Sequence, residues 1–70
     1  MFSQFFYNLS YNYYHFRANR RYKKYKSGEP PGEIVRFCRR GIEMAKILER
    51  DPSDLFRIID DLLNPKDKKL

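Results

Sequence analysis

The apolar positions divide the chain into three stretches of helical spacing separated by two breaks. From Glu33 to Arg50, the residues Ile34, Phe37, Cys38, Gly41, Ala45 and Leu48 recur at steps of three and four, which a helical period gathers on one face. Val35, Ile42 and Met44 widen that face, while Arg36, Arg39, Arg40, Glu43 and Arg50 fall opposite. So broad an apolar face predicts contact with two other elements. Gly41 in its middle costs a helix about 1 kcal/mol against Ala, and so predicts close approach of a neighbouring helix. Farther on, Leu55, Ile58, Ile59, Leu62 and Leu63 make a narrower stripe, with Arg57, Asp60 and Asp61 outside it. Asp51 supplies its N-cap, Pro52 suits the first helical position, Asp54 favours the positive end of the dipole, and Asn64-Pro65 stops it. The link between these two segments is so short that they are expected to fold back as an antiparallel hairpin.

The first segment carries two aromatic rows. Phe2, Phe5, Phe6, Leu9, Tyr13 and Phe16 share one side of a helix. Tyr7, Tyr11, Tyr14, Ala18, Tyr22 and Tyr25 share the other, at the seam spacing of packed helices. Tyrosine and phenylalanine also favour strands, and Tyr11, Tyr13 and His15 alternate with other residues. The helical spacing, however, persists over some 24 residues (far beyond an ordinary strand), and Ala, Arg and Lys late in the segment suit a helix. A chain of 70 residues covers only one such row. The more apolar Phe/Leu row is expected to pack on the hairpin and the Tyr row to face outward, with the reverse arrangement as the alternative.

The expected architecture is therefore all-α and a single domain. Residues 1–26 form a long aromatic and basic helix, 27–32 (Ser-Gly-Glu-Pro-Pro-Gly) a linker, 33–64 the helical hairpin, and 65–70 a frayed tail.

Charge sharpens this picture. The net charge is +6, and no acid precedes Glu29, whereas Arg17, Arg20, Arg21, Lys23, Lys24 and Lys26 crowd the end of the first segment. Lys and Arg suit a helix C-terminus on dipole grounds alone, but six bases in ten residues exceed what that requires. Cations neutralise phosphates and release counterions, and tyrosine rings stack on bases or hydrogen-bond phosphate oxygens. Arg17, Arg20, Arg21, Tyr22, Lys23, Lys24, Tyr25 and Lys26 are accordingly the candidate contacts to nucleic acid or another acidic partner. Tyr7, Tyr11 and Tyr14 are the candidate protein interface, since tyrosine is enriched at binding hot spots. The leading reading is non-catalytic binding to nucleic acid or a nucleoprotein assembly. Second comes a regulatory or accessory subunit, such as a stoichiometric inhibitor, docking its Tyr row on an acidic face of a larger complex. Self-association is a further option, and a membrane surface ranks third, because the bases follow the aromatics rather than flank them.

Other chemistry finds little footing. One cysteine, Cys38, allows no internal disulfide, and with one histidine, His15, the chain has no zinc-ligand cluster. The lone thiol accords with a reducing, cytoplasmic setting. Cys38 lies on the apolar face and is expected to be a buried core thiol. His15 has no acid near it in sequence to orient it as a base. Asp60 and Asp61 point about 100° apart on a helix and do not converge. Gly28 and Gly32 bracket prolines and make no phosphate loop. A helix-turn-helix fails because its recognition helix would present Asp54, Asp60 and Asp61 to DNA. No apolar run is long enough to span a membrane, and no catalytic residue, metal or cofactor is expected. An acid-free, arginine-bearing start resembles a transit peptide in charge but not in its tyrosine and phenylalanine content.

Overall fold

A computed structural model describes the backbone of residues 2–26 and 28–64, with side chains from Gln4 onward. Ser27 of the linker and the tail 65–70 lie outside the described residues, as do the side chains of Phe2 and Ser3. The fold is all-α: α1 (Phe2–Lys24), α2 (Gly32–Leu48) and α3 (Ser53–Leu63).

The ends of these helices follow from local chemistry. After α1, the Lys26 carbonyl accepts the Glu29 N–H at 3.1 Å, and Gly28 takes φ 99°, a conformation that side chains oppose. Beyond Leu48, the Arg50 N–H donates to the Ala45 carbonyl at 2.8 Å, while Glu49 is left-handed at φ 59°. This closure ordinarily carries glycine. Glu49→Gly is therefore expected to raise stability by about 0.5–1 kcal/mol, read as a higher urea midpoint at unchanged slope. α3 starts one residue later than expected, with Pro52 rather than Asp51 at the N-cap; Asp51 Oδ1 still accepts the Ser53 N–H at 3.1 Å just ahead of it.

Side-chain pairings give the relative directions. Arg50, just beyond α2, lies over Tyr11, Arg17 lies over Phe37, and Arg21 pairs with Glu33, so α2 runs antiparallel to α1. His15 meets Asp54 and Tyr22 meets Asp61, so α3 runs with α1 and against α2. The predicted hairpin is present, but α1 packs chiefly on α2, and α3 leans across the pair. The core consists of Tyr11 and Ala18 from α1, Ile34, Cys38, Ile42 and Ala45 from α2, and Leu55, Ile58 and Leu62 from α3. Leu63, expected on the α3 stripe, is 54% exposed at the helix end. Gly41 fulfils its prediction doubly: a Cβ there would stand 2.7 Å from Leu55 Cδ1 and 3.6 Å from Tyr14 Cβ.

The expected orientation of α1 is reversed. Tyr11 is 6% exposed and Ala18 fully buried, whereas Phe5, Phe6, Leu9, Tyr13 and Phe16 are each at least half exposed. Apolarity per residue favours the phenylalanines, but the two rows continue differently. Extended by further turns, the Phe row runs into Arg20, Lys23 and Lys24, and covering it would desolvate three cations without partners. The Tyr row runs through Ala18 to Tyr22 and Tyr25. These hydroxyls find acceptors at the rim: Tyr22 donates to Asp61, and Tyr25 donates to the Glu29 carbonyl at 2.9 Å.

Candidate functional site

The reversal redistributes the candidate residues. Tyr11 is a core residue, its ring under the Arg50 guanidinium at 4.3 Å. Burial, together with the Asp54 charge and against that of Arg50, raises its hydroxyl above the ordinary tyrosine value. Tyr14 is half-buried with its ring 6.4 Å from that of Phe37, and Tyr7 is half-buried. The expected outward interface of Tyr7, Tyr11 and Tyr14 therefore faces largely inward.

Among the candidates of the basic segment, three are tied within the fold. Arg21 pairs with Glu33. Tyr22 is held by Asp61, a hydrogen bond that raises its pKa. Tyr25 is held by the linker carbonyl. Lys26 is exposed, and its backbone N–H donates to Glu29 Oε1 at 2.9 Å. Arg17 is half-buried, its guanidinium 5.2 Å from the Phe37 ring centre and 5.8 Å from that of Tyr13. Arg20, Lys23 and Lys24 stand exposed on the outer face of α1.

These last cations converge on a residue that sequence reasoning had assigned to the core. Phe16 is 57% exposed and lines a shallow groove with Arg17, Arg20, Arg21 and Lys24. A second depression, lined by Phe16, Asn19, Arg20 and Lys23, adjoins it. The Arg20 guanidinium lies 5.9 Å from the ring centre. No lining residue of either depression is acidic; Glu29 and Glu33 border a separate groove on the other side of Arg21 and Lys24. The result is one open ring ringed by cations. Its signal was present in the sequence, since Phe16 and Arg20 are one turn apart on the same row.

A second pairing could not have been read from periodicity. His15 Nε2 lies 2.6 Å from Asp54 Oδ2, and Asn19 Nδ2 donates to the His15 carbonyl at 2.8 Å. Burial acts to raise the Asp54 carboxyl, but the His15 hydrogen bond and charge and the Leu55 N–H outweigh it, leaving the pKa below its ordinary value. A carboxyl lowered by folding adds stability above the unfolded-state value of 3.8 and loses it as pH falls through the lower folded value. Asp54→Asn is expected to flatten the acid limb of stability below about pH 4. The loss near neutrality should be only about 0–1 kcal/mol, because both side chains are substantially exposed. Urea unfolding at several pH values reads both effects.

Cys38 is fully buried, and desolvation pushes its thiol up to about 11, which keeps it protonated and unreactive at neutral pH. Among the described residues no three metal-ligating side chains cluster, and no helix is long and apolar enough to cross a membrane. No family model, curated protein or solved structure matches the chain.

Proposed function

We propose that this is a non-catalytic binding protein that engages single-stranded nucleic acid, free or within a nucleoprotein assembly, through the basic end of α1. The observation that carries the reading is the acid-free groove around Phe16. An open ring offers a stacking platform for a base, and Arg20, Lys23 and Lys24 stand where flanking phosphates would lie. Tyr22 and Tyr25, the rings first expected to stack, hold the fold instead, and Phe16 takes their place. A single-stranded ligand suits this site better than a duplex, because stacking requires a base already out of its helix.

Fluorescence anisotropy with a random-sequence single-stranded oligonucleotide tests the reading. Log affinity should fall with log salt at a slope of roughly −2, as three phosphate contacts imply for a single strand. Phe16→Ala should weaken binding by about five- to a hundred-fold, the worth of one base stack. No binding at low salt, or binding indifferent to Phe16, overturns it. The accessory-subunit reading sets the same cations against a partner's carboxylates; it gains if a captured partner survives nuclease and is lost on Lys23→Glu/Lys24→Glu.

A further inference from the structure

The first half of the α1 outer face is a different surface from the groove. Phe5, Phe6, Leu9 and Tyr13 are exposed by 59, 60, 51 and 50%. The uncharged Asn12 and Ser10 border them, and no Asp, Glu, Lys or Arg precedes Arg17. Among the described residues, none of the core precedes Tyr11. We infer that this ridge pairs with the same ridge of a second copy of the chain, with the two α1 helices antiparallel.

Two observations select that occupant. The first is charge. An uncharged ridge can meet itself without desolvating an ion, whereas an anionic lipid surface would leave the cations beyond one end of the apolar patch rather than beside it. Charge also selects the direction. In a parallel pair, Arg17, Arg20, Lys23 and Lys24 of the two copies would lie side by side. In an antiparallel pair with its two-fold axis at Leu9, the two Arg20 residues are eleven positions from the axis on each side. At a rise of ~1.5 Å per residue they stand about 33 Å apart, several times the Debye length of ~8–10 Å. Like charges then cost little.

The second is area. Four half-exposed side chains, three of them aromatic, present on the order of 400 Å² per copy. With the polar border the pair approaches the ~1,000 Å² at which specific association begins. The dimer is therefore weak and forms in roughly the micromolar range. Leu9 meets Leu9 at the axis, and Phe5 meets Tyr13 on either side of it. Such a contact is isologous and closes at two copies. It places the two basic ends of α1 at opposite ends of the pair.

Sedimentation velocity across a concentration series, with paired crosslinking, tests the inference. The intact chain should move from monomer to dimer as concentration rises. Leu9→Glu, and separately Tyr13→Glu, should weaken the dimer at least tenfold while the helical circular dichroism is unchanged; Lys23→Ala should leave it intact. Because an exposed-site variant can still misfold, orientation is read on folded, covalently trapped pairs. Chains carrying Phe5→Cys and Tyr13→Cys, mixed and oxidised, should join to each other in preference to their own kind. Strict monomer at every attainable concentration overturns the inference, as does preferential Phe5→Cys self-joining, which marks a parallel pair. A monomer that binds phosphatidylglycerol/phosphatidylcholine vesicles through Leu9 also overturns it and assigns the ridge to lipid.

Discussion

Tyr11→Ala is expected to remove most of the protein's stability, and Tyr13→Ala almost none. The two rings lie two residues apart on one helix, but Tyr11 is 6% exposed and Tyr13 is 50% exposed. Truncating a buried aromatic costs about 3–5 kcal/mol through lost transfer energy and the cavity left behind. A core this small supplies roughly 3–5 kcal/mol in total. The variant should therefore be largely unfolded at room temperature. Tyr13 makes a long hydrogen bond from Arg17 at 3.5 Å and an edge contact with the half-buried Tyr14 ring at 5.3 Å but is half exposed, so its loss should stay within about 0.5–1 kcal/mol. Urea unfolding followed by far-ultraviolet circular dichroism decides it. Equal sensitivity, or the reverse order, would return the Phe row to the interior.

Leu55→Ala is the second severe case. Leu55 is fully buried, and its Cδ1 occupies the hollow over Gly41 where α2 and α3 touch. The expected cost is about 2–5 kcal/mol, which in a domain of this size lowers Tm by roughly 10 °C or more. Ile59, on the same helix but half-buried, provides the comparison. Ile59→Ala should cost clearly less, since fewer of its atoms leave water on folding. If the two substitutions cost the same, α3 does not seat through Leu55.

Much of this fold is legible in the chain. The linker prolines, Asp51-Pro52, Asn64-Pro65 and the apolar spacing of α2 place three helices, and a mid-helix glycine announces a close crossing. The inward row of α1 is not the one with the more apolar rings, because the charges beyond the aromatic turns decide which row can be covered. Each row needed following to its end, where one meets Arg20, Lys23 and Lys24 and the other meets Ala18. Pairings across the chain are another matter. Tyr22 and Asp61, like His15 and Asp54, are 39 positions apart. Nothing periodic links them, since they meet only because α3 runs alongside α1. The site was thus half visible: its cations by composition, its central ring only once the orientation of α1 was known.

Gly41 has a wider effect than local fit. The missing methyl leaves a notch that Leu55 Cδ1 of α3 fills, 2.7 Å from where a Cβ would stand, while Tyr14 Cβ of α1 rests at an ordinary 3.6 Å. The seat of α3, and with it the Asp54 and Asp61 carboxylates that meet α1, depends in this sense on an atom that the middle helix does without.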